Sequence, residues 1–182
     1  MTGHALIPHH SGAVPPGRCT LVANVELVGP VLRFSYRLRG ELAAIAIPHR
    51  VPARRAERLW EHTCFEAFVA PGAGERYFEL NFSPSTEWAA YELDGYRRGQ
   101  HPLALVRPPA IEVAASGSDL RVTANVELPA AAEARWPWRI GLTAVVEDRA
   151  GGRAYFALEH PRPAPDFHDA AAFVISLDGS AQ

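Results

Sequence analysis

The sequence contains no lysine, and all 18 of its basic residues are arginine. Without lysine the chain can form neither a Schiff base through a lysine amine nor a phosphate-binding loop that depends on lysine. The formal net charge is only −2 over 182 residues, so no basic field exists that would attract nucleic acid or an anionic membrane surface. The composition therefore predicts neither a nucleic-acid partner nor a membrane partner.

Cysteine and long apolar runs are also scarce. The two cysteines, Cys19 and Cys64, are too few for a disulfide scaffold, and no C-x-x-C pair occurs. No run approaches the roughly 18 apolar residues that a membrane-spanning helix needs. The N-terminal segment lacks the charged start and the apolar core of a signal peptide. These features predict a cytoplasmic protein with free thiols.

Short alternating segments separated by turns make up most of the chain. Residues 20–27 and 31–38 flank a Gly-Pro pair, and residues 117–119 separate a second pair of alternating segments, which indicates two hairpins. About ten or eleven such segments can be counted, and only residues 130–135 look helical. The pattern predicts an all-β fold, a two-sheet jelly-roll-like β-sandwich with little helix.

The composition is uniform along the chain, which favours one domain with a substantial core. The predicted boundaries are a loose N-terminal lead-in over residues 1–19, a single β-sandwich domain over 20–178 and a C-terminal tail over 179–182.

Two adjacent segments, WEHTCFEAF and YFELNF, mix aromatic and polar side chains in an unusual way. Side chains alternate across a strand, so each segment has one apolar face and one face rich in hydrogen-bonding groups. The polar faces carry Trp60, His62, Cys64, Glu66 and Phe68 in the first segment and Tyr77, Glu79, Asn81 and Ser83 in the second. The turn between them is short enough for antiparallel pairing, which would merge the two faces into one patch.

This patch is interpreted as a binding site for a carbohydrate-like small molecule. Trp60 would stack on the apolar face of a sugar ring, and Glu66, Glu79 and Asn81 would bond its hydroxyls. His62 would orient Glu66 or bond the ligand directly. Two other interpretations remain open: the face is exposed to solvent, or it is a buried polar network that only fixes the packing.

Three strings, LWEHTCFEAF, YFELNFSPSTEWAAYELDGYRRG and PAPDFHDAAAF, give the chain a resemblance to the bacterial DOMON-like proteins over residues 23–177. Those proteins are related to the family-nine carbohydrate-binding modules. The resemblance implies a jelly-roll-like sandwich with a ligand-binding function, and sugar or haem is the usual ligand in the wider superfamily. In the modules a tryptophan lies six positions before a strand glutamate and both touch sugar, which is the spacing of Trp60 and Glu66; Asn81 matches an amide on the following strand.

The modules also use a second tryptophan near the C-terminus, whereas no tryptophan follows Trp138 here. Phe167 or His168 of the PDFH string is the candidate replacement, although PDFH is also typical of a structural lock in which Asp166 forms a turn and Phe167 fills the core. Trp88 would reach the rim of the patch. The ligand-binding residues predicted in this way are Trp60, His62, Glu66, Glu79, Asn81, Trp88 and His168.

Other chemistries use the same residues. His62, Cys64 and Glu66 share one strand face, and their side chains suit Zn²⁺, while Glu66 and Glu79 could act as the paired carboxyls of a sugar hydrolase. For haem, a Met/His axial pair is excluded because Met1 is the only methionine, and bis-His or His/open ligation remains. The preferred prediction is a non-catalytic binding module without a cofactor; a hydrolase, and a structural domain with no small ligand, are the alternatives.

Overall fold

The computed structural model describes residues 3–129 and 136–179. Within these residues the chain forms twelve strands: β1 (His4–Pro8), β2 (Thr20–Val28), β3 (Val31–Arg39), β4 (Cys64–Pro71), β5 (Tyr77–Phe82), β6 (Trp88–Leu93), β7 (His101–Pro102), β8 (Ala110–Ser116), β9 (Asp119–Glu127), β10 (Trp138–Glu147), β11 (Arg153–Ala157) and β12 (Ile175–Leu177). Single turns of 3-10 helix lie at Pro16–Arg18, Leu42–Ala44, Leu59–Glu61 and Ala170–Ala172. The helix-like segment at 130–135 lies outside the described residues. Where the structure is described, no helix has the length and apolar character needed to cross a membrane.

The strands form one curled antiparallel sheet in the order β7-β6-β5-β4-β10-β11-β1-β2-β3-β9-β8, and β12 pairs with β10 outside this path. The two predicted hairpins are β2–β3 and β8–β9. Their turns contain Gly29 and Gly117, whose φ angles of 59° and 58° lie in the left-handed region that glycine adopts without strain. The predicted all-β sandwich is confirmed, with one strand more than the upper expectation.

The main core lies between the two halves of the curled sheet. Phe34 and Tyr36 of β3 contact Phe82 and Phe65 of the opposite half, with ring centroids 5.6 and 5.1 Å apart. The Tyr36 hydroxyl donates to the buried carbonyl oxygen of Glu66 at 2.7 Å. The backbone of β4 at Glu66 is therefore held from the core side.

Residues 1–19 are predicted to form a loose lead-in, but they contain the strand β1, so the prediction is wrong over His4–Pro8. In β1, His4–Leu6 pair with β2, whereas Ile7 and Pro8 pair with β11. This one strand joins the two halves of the sheet. The alternation of β1 buries Leu6, which is 4% exposed, and leaves Ile7 48% exposed.

Replacing Leu6 by alanine is expected to lower the free energy of unfolding by about 2–3 kcal/mol, because it opens a cavity in the core. Ile7→Ala is the matched control on the same strand and should cost less than about 1 kcal/mol, since its side chain is half exposed. Urea denaturation of both variants measures the two values. Equally small losses would show that β1 contributes little to the folded state.

A second apolar layer covers the outer face of β4 and β5. Phe68 of β4 stacks against Phe173 with ring centroids 5.7 Å apart, and it also contacts Phe167 at 6.5 Å. Gly141 of β10 lets Phe173 approach, because a Cβ atom there would lie only 2.7 Å from the phenyl ring. Every residue of β4 and β5 is buried in consequence. The interpretation of the polar face as a solvent face is therefore wrong.

Candidate functional site

The polar residues of β4 and β5 lie on one face, as their alternation predicts. Glu66 lies directly opposite Asn81, and Phe68 lies opposite Glu79, so the two glutamates are diagonal neighbours across the strand pair. The Asn81 side-chain amide donates to Glu79 Oε1 at 2.9 Å. All three polar side chains are buried. Asn81 therefore supports Glu79 in the layer beneath a pocket and is not part of the pocket wall.

A pocket of about 280 Å³ opens over this face of the sheet. It brings together four of the predicted site residues: Trp60, Glu66, Glu79 and His168. Phe167 and Arg97 line it as well. Gln100, Arg153 and Tyr155 complete the polar part of the wall, and the sequence motifs did not point to them.

Trp60 does not lie on β4, contrary to the predicted face. It belongs to the 3-10 turn Leu59–Glu61, which follows Arg58 with a φ angle of 59°. Its ring contacts Tyr91 edge-on, with centroids 6.2 Å apart, and the residue is still 37% exposed. The turn thus presents the indole at the mouth of the pocket instead of burying it in the sheet.

His62 does not perform the predicted role of orienting Glu66. Its Nδ1 atom lies 2.8 Å from Glu147 Oε2 of β10, and His62 is outside the pocket lining. Cys64 is fully buried, and burial raises the pKa of its thiol well above the usual value. Among residues 3–129 and 136–179, no three His, Cys, Asp or Glu side chains are placed to hold one metal ion.

Trp88 does not reach the rim, and its placement in the site is wrong. It lies opposite Phe82 in the β5–β6 pair, so it shares the core face of that strand. The Arg55 guanidinium lies 4.4 Å from the ring centroid and covers it. Trp88 is a core residue as a result.

His168 lies at the inner end of the pocket in a defined hydrogen-bond network. Its Nδ1 atom is 2.7 Å from the Tyr77 hydroxyl, and its Nε2 atom is 4.0 Å from Glu79 Oε2. The Tyr77 hydroxyl also accepts the backbone N–H of Arg97 at 3.3 Å. Burial, with the positive charge of Arg97, lowers the pKa of His168 to about 4, so the ring is neutral at pH 7.

The PDFH string combines structural contacts with a side chain, His168, that lines the pocket. Asp166 Oδ1 accepts the backbone N–H of His168 at 3.1 Å and the Arg97 guanidinium at 2.9 Å. Asp166 Oδ2 accepts the Tyr96 hydroxyl at 2.5 Å. Phe167 packs against Phe68, as described above. These contacts are those expected of a structural lock, and the role of His168 in binding stays a prediction.

Glu66 is a buried polar group of the pocket wall with an unpartnered oxygen atom. It is 2% exposed, and its Oε1 atom is buried without a hydrogen-bond partner among the described residues. Burial raises the pKa of Glu66 well above its usual value, and the nearby Glu79 carboxyl raises it further. Burial also raises the pKa of Glu79, against the lowering effect of the Asn81 hydrogen bond. A protonated Glu66 can donate one hydrogen bond and accept another from a bound molecule.

No family model matches the sequence, and no curated protein matches it either. Among solved structures, the chain is similar to a Bacteroides uniformis protein for which carbohydrate binding has been suggested. The TM-score is 0.72 at 12% identity, over 94% of this chain and 84% of that one. A family 9 carbohydrate-binding module from Caldicellulosiruptor kristjanssonii in complex with cellotriose gives a TM-score of 0.54 at 7% identity, over 86% and 72% of the two chains. At these identities the similarity establishes a shared fold.

Proposed function

We propose that the chain is a non-catalytic binding module for a carbohydrate-like small molecule held in the pocket between Trp60, Glu66, Glu79 and His168. The observation that carries the proposal is the buried, unpartnered Oε1 atom of Glu66 in the pocket wall. An unsatisfied buried acceptor costs about 1–3 kcal/mol. A bound hydroxyl would supply the missing hydrogen bond and recover much of that energy.

The rest of the wall suits a sugar in size and chemistry. The pocket volume of about 280 Å³ lies near the lower end of small-molecule sites, which span about 300–1,000 Å³, so one or two sugar rings are the expected size. Trp60 offers an exposed ring for stacking, and Tyr155 adds a second aromatic wall. The similarity in fold to a carbohydrate-binding module supports the same ligand class.

The carboxyl pair is less suited to glycoside hydrolysis. Hydrolysis needs one protonated acid and one ionised carboxylate at the same pH. Burial shifts the pKa of Glu66 and of Glu79 in the same direction, so burial by itself does not divide the two carboxyls into an acid and a base.

The proposed function is tested by isothermal titration with glucose, cellobiose and cellotriose. At least one sugar is expected to bind with a dissociation constant of about 1 mM or tighter. Trp60→Ala should weaken binding by about tenfold or more because the stacking surface is lost, and Trp60→Phe should retain part of the affinity. Both variants should keep the wild-type melting temperature within a few degrees, since the indole is exposed at the pocket mouth.

The proposal fails if no sugar binds at millimolar concentration while the protein is folded. It fails equally if Trp60→Ala binds as tightly as the wild type, because the pocket mouth would then not contact the ligand.

A further inference from the structure

Arg153 of β11 is an unpaired cation in the wall of the pocket. Its Nε atom is buried and has no hydrogen-bond partner, and its guanidinium makes no ion pair within the described parts of the chain. Other arginines near the pocket are neutralised: Arg97 pairs with Asp166 at 2.9 Å, and Arg98 pairs with Glu75 at 2.8 Å. Arg153 as a whole is only partly buried, but its buried Nε atom lacks the hydrogen-bond partner that buried polar atoms normally have.

Two carboxylates near Arg153 bond other side chains. Glu147 lies directly opposite Arg153 in the β10–β11 pair, but its side chain bonds His62 at 2.8 Å. Glu61 is within electrostatic range of Arg153, yet its carboxylate bonds Arg58 at 2.5 Å. Neither carboxylate forms an ion pair with Arg153 in the part of the chain that the structure describes.

The glutamates inside the pocket make no ion pair with Arg153 either. Burial raises the pKa of Glu66 and of Glu79, which moves both carboxyls toward their neutral forms. The Asp166 carboxylate pairs with Arg97. The pocket therefore combines hydrogen-bonding groups at its base with a guanidinium on its wall that has no ion-pair partner among the described residues.

We infer that the sugar-like ligand carries an anionic group, a carboxylate or a phosphate, that pairs with the guanidinium of Arg153. This inference rests on the proposed function, because the ring would occupy the pocket formed by Trp60 and Glu66. The planar guanidinium matches the geometry of both anions and can bond either of them through two N–H groups. The ligand class is thus an acidic sugar, either a uronic acid or a sugar phosphate.

The test compares glucose, glucuronate and glucose 6-phosphate by isothermal titration against the wild-type chain. One of the two anionic sugars should bind at least about tenfold more tightly than glucose, since a charge-assisted hydrogen-bonded pair contributes at that scale. The preference should shrink as salt is raised, because the added interaction is electrostatic. The two anionic arms decide whether the group is a carboxylate or a phosphate.

Variants separate the charge from the pocket. Arg153→Gln should abolish the preference, so that glucose and the anionic sugar bind this variant with similar affinity, and Arg153→Lys should retain part of the preference. The control is Arg50→Gln, which removes an exposed arginine outside the pocket and should keep the full preference. Melting temperatures verify that each variant is folded.

The outcomes distinguish this inference from the function on which it rests. If glucose binds and neither anionic sugar binds more tightly, the inference is overturned and the proposed function stands. If Arg153→Gln keeps the preference, another cation carries it and the inference is again overturned. If none of the three sugars binds the folded wild-type chain, both the inference and the proposed function are lost.

Discussion

Replacing Glu66 by methionine is expected to raise the free energy of unfolding by about 1–3 kcal/mol at pH 7 and to weaken sugar binding about tenfold or more. Methionine fills a similar volume without polar atoms, so it removes the unpartnered Oε1 atom and the penalty of burying it. The same change removes the proposed hydrogen-bond partner of the ligand. Stability and affinity should therefore move in opposite directions, as is common where a site is retained for function.

The gain in stability should grow with pH. The pKa of Glu66 is raised in the folded chain by burial, so the folded chain holds this proton more tightly than the unfolded chain. The stability from Glu66 is fully present below its ordinary pKa of about 4.5 and is lost as the pH rises through the folded value. Urea denaturation of wild type and Glu66→Met at pH 5 and pH 8 measures the difference.

Thr143→Val is the matched control for this experiment. Thr143 lies opposite Glu66 in the β4–β10 pair, and its hydroxyl is also buried without a partner in the described structure. It does not line the pocket, so valine should be neutral or stabilising and leave sugar affinity unchanged. Glu66→Met that destabilises the chain would contradict the description of Glu66 as an unsatisfied group. If both variants stabilise the chain and neither affects binding, Glu66 has no contact with the ligand.

The sequence predicted the face of each side chain correctly wherever a strand is uninterrupted. A period of two in residues 64–70 and 77–82 is enough to place Phe65 and Phe78 in the core and Glu66 and Glu79 on the opposite face. The same rule could not place Trp60, because the strand begins at Cys64 and the preceding residues form a 3-10 turn. The prediction for Trp60 applied strand alternation to residues before Cys64, where the backbone is not that of a strand.

The wrong prediction that Trp88 lies at the rim of the site has a similar origin. Whether Trp88 faces the core or the pocket depends on the exact turn after β5, and the observed register sets Trp88 opposite the core residue Phe82. Arg153 and Tyr155 alternate with the core residues Ala154 and Phe156 on β11, so their shared outward face was visible in the sequence.

What the sequence could not show is that β11 lies near β4. The two strands are separated only by β10 in the sheet, but they are far apart in the chain. Pairing over such distances is set by tertiary packing and not by any local pattern. For this reason the polar face of β4 and β5 was predictable, whereas the cation that completes the pocket was not.

Acidification is expected to destabilise the wild-type chain through His168, and replacing His168 by asparagine should remove this effect. The folded pKa of His168 is about 4, below the ordinary 6.5, because burial opposes the charged ring. The unfolded chain therefore takes up the proton first as the pH falls. The stability from a neutral His168 is fully present above about pH 6.5 and declines as the pH approaches 4. Between pH 7.5 and pH 5 the loss attributable to His168 is about 2 kcal/mol.

Asparagine is the informative replacement, because its side-chain amide can form a hydrogen bond with the Tyr77 hydroxyl in place of Nδ1. The loss of ring contact with Phe68 lowers stability at every pH, so the slope between pH 7.5 and pH 5 is the quantity to compare. The wild type should lose about 2 kcal/mol more than His168→Asn over this range. The control His49→Asn alters an exposed histidine and should keep the wild-type slope.

Glu66 acts with the opposite sign, since its protonation favours the folded chain as the pH falls. The total pH dependence of the wild type therefore understates both effects. Identical slopes in wild type and His168→Asn would mean that the ring is protonated as readily in the folded chain as in water, and His168 would then not lie in the buried end of the pocket.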